Sequence, residues 1–200
     1  MAEATVGIRD FSSYFDGADI REGKLHASNS YVNVEESYPT AYNLGSGRAH
    51  WSGWINVDAG PGADLQSDLR KLPIDTDSAD AVAAIHVLEH FYEWEAESVL
   101  KEWRRILKPG GKLILELPCL DKVMRYMAHS IKMNEPMLAF MTLHALYGDP
   151  KYHDVSMCHK WAYFEKSLGV LLEKVGMREI HFMEPRYHFP MRDQRVECIK

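Results

Sequence analysis

The chain is poor in the features that mark many specialised classes. It has three cysteines, Cys119, Cys158 and Cys198. They are odd in number and far apart, so they form no disulfide framework. No apolar run approaches the twenty or so residues that span a bilayer, and Met1 to Asp10 lacks the apolar stretch of a secretory leader. A soluble, cytoplasmic protein without membrane partners is therefore expected. There is no basic excess: net charge is -6, so a phosphate backbone would need a local basic face. The nearest candidate, Lys101, Arg104, Arg105 and Lys108, falls on the outer side of a predicted helix and reads as a solvated face. No nucleic-acid partner is expected. Internal repeats and low-complexity segments are also missing.

What is present is an ordinary globular balance, 46% hydrophobic and 26% charged over 200 residues, enough for one core. The middle of the chain alternates strand and helix signals, as a parallel α/β sheet does. Ala41 to Leu44 runs into Gly45-Ser46-Gly47, and Trp54 to Val57 ends at Asp58. Ala81 to Val87 and Gly111 to Leu117 are near-continuous apolar runs, the pattern of buried parallel strands. Between them Trp94, Val99, Leu100, Trp103, Ile106 and Leu107 recur at helical spacing. A further helix is predicted from Ala162 to Val175, stopped by Gly176. Met177 to Met183 and Arg195 to Ile199 then predict an antiparallel hairpin. Residues 1–38 read as an N-terminal arm and 39–200 as the domain proper, with 119–158 a Met-, Tyr- and His-rich helical segment.

The strand entering Gly45-Ser46-Gly47 offers backbone that a ligand can approach with no Cβ in the way. Alone, a GxG turn is compatible with many ligands or none. A dinucleotide fingerprint needs a third glycine at position 50, where His50 stands, and an acid about twenty residues on. Asp58 comes too early for that, with space for barely one turn of helix before it. It still ends a strand where a carboxylate can accept from both hydroxyls of a ribose. Asp68 reads equally as a turn cap or as an acceptor for an adenine amino group.

Taken together, Tyr42-Asn43-Leu44-Gly45-Ser46-Gly47, Gly53-Trp54-Ile55-Asn56-Val57-Asp58, Asp68 to Pro73, His86-Val87-Leu88-Glu89-His90 and Leu107-Lys108-Pro109-Gly110-Gly111 resemble a compact class I S-adenosylmethionine-dependent methyltransferase. More narrowly, the chain is similar to small predicted methyltransferases of surface-polysaccharide gene clusters. The resemblance spans about residues 40–120 and, more loosely, His159 to Lys200. It implies an α/β fold: a Rossmann-like, mostly parallel sheet with a C-terminal antiparallel hairpin and shortened first helices. It implies S-adenosyl-L-methionine as cofactor, Gly45, Ser46 and Gly47 at its methionine end, Asp58 on the ribose, Asp68 and Leu69 beside the adenine, and His86 closing the methionine side. Asn43 stands where an acid usually precedes the glycines, and its carbonyl oxygen can accept from a water or an ammonium. In this class the 119–158 segment is the variable, substrate-side part.

Methyl transfer to a hydroxyl needs an aligned acceptor and a group to take its proton, for which histidine is suited near neutral pH. His90 and His159 are the catalytic candidates, each also readable as a packed or capping residue. Glu89 reads equally as a site group or as a solvated first-turn acid, and Asp121 as a group that could touch substrate or cofactor. His144, His153, Cys158 and His159 match no tight metal-binding spacing, and no metal is expected. The expected partner is a small-molecule or saccharide methyl acceptor, with the oligomeric state open. Two alternatives stay open beside the enzyme: a non-catalytic S-adenosylmethionine-binding module, and another reaction on the same scaffold.

Overall fold

The computed structural model describes residues 35–200, so most of the 1–38 arm lies outside the described residues. The elements in chain order are β1 (Ala41–Leu44), β2 (Ile55–Asp58), β3 (Leu65–Gln66), β4 (Ala79–Ile85), α1 (Glu93–Ile106), β5 (Leu107–Pro118), α2 (Leu120–Lys132), α3 (Pro136–Tyr147), α4 (Glu165–Lys174), β6 (Arg178–Met183) and β7 (Asp193–Ile199). They build one seven-stranded sheet in the order β3-β2-β1-β4-β5-β7-β6. β1 to β5 run parallel, whereas β7 pairs antiparallel with both β5 and β6. This is the Rossmann-like sheet with a C-terminal antiparallel hairpin. The strand order reverses between β1 and β4, where the crevice for a ligand opens at the carboxyl edge of such a sheet.

The two faces of the sheet are covered differently. Along β4, Val82 and Ala84 face one way, into a core with Val99, Leu100, Trp103 and Ile106 of α1 and Leu168 and Leu172 of α4. Ala81, Ala83 and Ile85 face the other way, where among the described residues no helix lies in the cluster. There the sheet presents small residues, and Trp51 and Trp54 cover them, their rings edge to face at 5.2 Å, with Tyr187 stacked on Trp51 at 5.0 Å. The shortened first helices are shortened completely: residues 45–54 and 59–64 are turns and bends. Two indoles do the covering that a helix commonly does.

Helix boundaries follow local chemistry. At the start of α1 the Glu95 carboxylate accepts from the Tyr92 amide at 3.0 Å, satisfying one donor that the helix cannot. Its apolar stripe is as expected from Val99 to Ile106, but Trp94 is 74% exposed. It sits in the first turn, stacked on Tyr92 at 4.4 Å rather than on the sheet. Phe164 likewise precedes α4 and is half exposed, so that stripe begins at Leu168. Gly176 takes φ +88° beyond the last turn of α4, a conformation open to glycine at little cost. The 107–118 strand begins four residues before its expected Gly111.

Of the basic cluster, Lys101 is exposed and pairs with Glu97, whereas Arg104 and Arg105 of α1 and Lys108 of β5 are structural ties. Arg105 donates to Ile74 O and Leu72 O, Arg104 to Gly176 O, and Lys108 pairs with Asp80 at 2.7 Å. In the 119–158 segment, α2 and α3 leave Met124, Met133, Met137, Phe140 and Tyr147 exposed and bury Val123 and Tyr126. Among the described residues no helix is long and apolar enough to cross a membrane.

Candidate cofactor and acceptor site

Because Leu44 pairs with both Val57 and Ala84, the Gly45 turn, Asp58 and His86 emerge side by side at the carboxyl edge. Gly45 has φ +66°, and a Cβ there would meet Val87 Cγ2 at 2.4 Å. Only glycine lets the turn lie this close to the chain leaving β4. Gly47 also has positive φ, +52°, but open space lies where its Cβ would be. The turn's amides point inward: Gly45 N and Ser46 N donate to Val57 O, and Gly47 N donates to Asp58 Oδ2 at 2.8 Å. Asp58 Oδ1 accepts from Gly60 N at 2.7 Å. Thus Asp58 ties its own loop to the glycine turn.

Asn43 is 3% exposed and serves the same loop, its amide donating to Ala49 O and Asn56 Oδ1. Asn56 in turn accepts from Trp51 N and donates to Asp64. Ser46 Oγ is buried without a hydrogen-bond partner. An orphaned hydroxyl, an open cradle at Gly47 and a carboxylate at the end of β2 fit a polar ligand at this edge. Asp68 lies two residues past β3, exposed, accepting from Arg70 N in its own turn and paired with the Arg70 guanidinium. Leu69 is buried in the main core, and its carbonyl accepts from Trp103 Nε1 at 3.0 Å. The two are linked to the loop through Ser67 N, which donates to Asp58 O.

After β4 the chemistry changes. His86 adopts φ +54°, an uncommon left-handed conformation for a side-chain-bearing residue and one that collects at functional sites. Its ring lies 3.8 Å from that of His188, with Nδ1 2.9 Å from Glu89 Oε1 and Nε2 3.7 Å from Asp193 Oδ1. A 3-10 turn over Leu88–His90 follows and buries Glu89 to 1% exposure. The acid is thus buried and not solvated. The reason is backbone pairing: Glu89 O accepts from Lys160 N and Trp161 N, pinning the 159–161 strap over it. That strap delivers His159, whose Nε2 stands 3.9 Å from Glu89 Oε1 and whose ring meets His90 edge-on at 4.8 Å.

The electrostatics of this cluster are uneven. Burial pushes His86 down, but the Glu89 and Asp193 carboxylates outweigh it and hold the imidazole above its ordinary value. Burial pushes Glu89 up, and His86, His159 and His90 around it bring it well below the usual carboxylate range. His159 is lowered, burial first, and its Nδ1 lies 2.9 Å from Ala145 O. Since a carbonyl only accepts, Nδ1 carries the hydrogen and Nε2 is left as the basic nitrogen. Yet both Glu89 oxygens and His90 Nδ1 are buried without a hydrogen bond of good geometry, Glu89 meeting His86 at 2.9 Å as an ion pair.

The remaining candidates separate from this cluster. Asp121 pairs with Arg125 one turn along α2. His144 and Cys158 line a cavity of about 410 Å³ with Phe140, Tyr147, Gly148 and Met157. This cavity adjoins the strap, because His159 N donates to Tyr147 O. Sequence reasoning missed Asp193 and His188, which the β6–β7 connection brings to the edge, and missed the depth of Glu89. The His86-x-x-Glu89-His90 spacing was the available signal, but it names residues and not the strap that closes over them.

A methyltransferase domain model matches residues 45–115, from the glycine turn to the middle of β5. Solved structures with the same fold include S-adenosylmethionine-dependent methyltransferases from Archaeoglobus fulgidus (TM-score 0.52, 14% identity, covering 80% of this chain and 86% of that one), Methanosarcina mazei (0.52, 16%, 80% and 92%) and Aquifex aeolicus (0.50, 15%, 80% and 81%). At such identity the likeness carries the fold. No curated protein matches the chain by sequence. The domain match, set on this fold, supports an enzyme of the S-adenosylmethionine-dependent methyltransferase type. S-adenosylmethionine is the cofactor it indicates.

Proposed function

We propose that the chain methylates a hydroxyl of a small molecule or sugar, with the acceptor presented at the Glu89, His90 and His159 cluster. The single observation that carries this reading is the placement of buried, partnerless acid and base groups next to the glycine turn, at the switch point of the sheet. When bound, the cofactor supplies an electrophilic methyl group on a sulfonium. The chain's own residues do the rest. Gly45 to Gly47 give the methionine end room, with Ser46 Oγ as a hydrogen-bonding group, and Asn43 keeps the turn in shape from below. The free lone pairs of Asp58 accept from the ribose hydroxyls. Asp68 and Leu69 border the adenine, and the backbone at His86 closes the methionine side.

On the acceptor side, His159 Nε2 is the proton acceptor that the Ala145 carbonyl keeps in the right tautomer, and His90 orients the hydroxyl. A hydroxyl oxygen placed between them loses its proton as the methyl group arrives, the geometry that favours in-line transfer. The cavity beside the strap is of a size that holds small ligands and is where the acceptor's body fits. The similarity to methyltransferases of surface-polysaccharide gene clusters favours a saccharide among the small acceptors. The test is a panel of sugars, nucleotide sugars and phenols with S-adenosylhomocysteine release as readout. Turnover on a hydroxyl acceptor is expected. Cofactor binding with no turnover on any acceptor would favour a non-catalytic module, and turnover confined to amines would overturn the hydroxyl assignment.

A further inference from the structure

The Glu89, His90 and His159 side chains each offer one ligand atom, and those atoms lie within 4.8 Å of one another. We propose that they form a binding site for a divalent first-row transition cation of the zinc type, contrary to what the sequence spacings suggest. The sequence hides the set because its third member comes from the strap, sixty-nine residues beyond His90 in sequence order.

Three observations support it independently. First, neither buried Glu89 oxygen makes a hydrogen bond of good geometry, its one close neighbour being His86 Nδ1 at 2.9 Å from Oε1, so a cation on the His90 and His159 side would complete the carboxylate. Second, His159 Nδ1 is engaged by the Ala145 carbonyl. A backbone carbonyl in that position is the usual outer partner of a metal-bound histidine, fixing the ring and directing its other nitrogen to the ion. Third, the donor set is two imidazoles and one carboxylate, which suits zinc or iron better than the all-oxygen preference of magnesium. A tetrahedral zinc ion with bonds of about 2.1 Å has ligand edges of roughly 3.4 Å, so binding draws the three donors together by about an ångström. Three protein ligands leave an open position, the arrangement of catalytic rather than structural zinc.

What the ion does there rests on the methyl-transfer reading; whether it binds does not. With the ion in place, His90 and His159 are its ligands, so the ion takes over from His159 Nε2 the task of drawing off the acceptor's proton. An acceptor hydroxyl in the open position then bonds through oxygen to the cation and releases its proton more readily, to solvent or to a buffer base.

Zinc titration of the full chain, followed by calorimetry and by X-ray absorption of the loaded protein, tests the proposal. The expected result is saturable binding at micromolar zinc or tighter and a first shell of nitrogen and oxygen only, at about 2.0–2.1 Å. Glu89→Gln and His159→Ala should each weaken binding by more than the roughly 100-fold that an outer partner is worth, while His153→Ala binds as the wild type does. A sulfur neighbour near 2.3 Å, loss in His153→Ala, or no binding by the folded wild type would overturn it. The absorption arm uses wild type and so stands even if a variant fails to fold. Calorimetry with S-adenosylmethionine alone keeps the two readings apart: cofactor binding without zinc binding removes the metal and leaves the methyltransferase.

Discussion

The glycine turn and the histidine–glutamate cluster sit side by side at one edge of the sheet and are built on opposite principles. In the turn, the amides of Gly45, Ser46 and Gly47 are all bonded to β2. What the turn offers a ligand is chiefly shape: a close approach at Gly45 and open space at Gly47. In the cluster, Glu89 and His90 bury polar atoms that the fold leaves unbonded. One region is complete in its backbone bonding and makes room; the other buries side-chain acid and base groups that lack a good hydrogen bond. In the reading proposed above, the difference means that cofactor binding rests on stable local structure, whereas chemistry rests on groups held at a cost to stability.

Substitutions in the cluster sharpen the contrast most. His159→Ala should lower turnover by about 10²–10⁴, the usual range for a positioned proton-transfer group, and Glu89→Gln should lower it in the same direction, while S-adenosylmethionine affinity stays within a few-fold. Steady-state rates beside calorimetric affinities check this. Thermal unfolding of Glu89→Gln should change little, since His86 can shed its proton near neutral pH when its partner carboxylate is gone.

The turn should behave in the reverse sense. Trp51 is 2% exposed, stacked on Tyr187, with its amide bonded to Asn56. Trp51→Ala removes a covering that takes the place of a helix and should cost about 3–5 kcal/mol of stability by chemical denaturation. If Trp51→Ala unfolds no more easily than Glu89→Gln, the turn is not the rigid partner. A smaller expected loss comes from Gly45→Ala, about 1–2 kcal/mol for the left-handed backbone and more if Val87 cannot give way.

The smallest effect is on pH. Glu116 is fully buried; burial pushes its carboxyl up, but His188 and the amides of Arg186 and Tyr187 hold it below its ordinary value. A lowered folded value means that its contribution is present above the ordinary carboxylate range and lost as pH falls through the folded value. Melting temperature should therefore fall on acidification below about pH 4.5. Glu116→Gln should flatten that fall, and an unchanged acid limb would contradict the assignment.

Much of this was legible in the sequence because it follows from local pattern. The apolar runs of β4 and β5, the 99–106 stripe, the Gly176 stop and the terminal hairpin each answer to periodicity or turn chemistry within a dozen residues. The common edge of Gly45, Asp58 and His86 was legible for the same reason, since each lies at or just past the end of a strand. Long-range placement was not. Nothing in the local pattern says that Lys160 and Trp161 bond to the Glu89 carbonyl, so the acid could equally be read as solvated. Likewise Trp94 matched the helical period, but its place in the first turn keeps it off the sheet. The covering role of Trp51 and Trp54 was hidden as well, because it depends on alanines 41, 81 and 83 lining up across two strands.

Calorimetric titration of S-adenosylmethionine into the wild type, Asp58→Ala and Glu89→Gln tests the division of labour most directly. Asp58 holds the glycine turn and is the side chain we propose for the ribose, so its loss should weaken binding at least about tenfold, a hydrogen bond or two to a charged acceptor. Glu89→Gln should bind as the wild type does. Equal affinity for Asp58→Ala and wild type, or loss of binding in Glu89→Gln, would contradict the account.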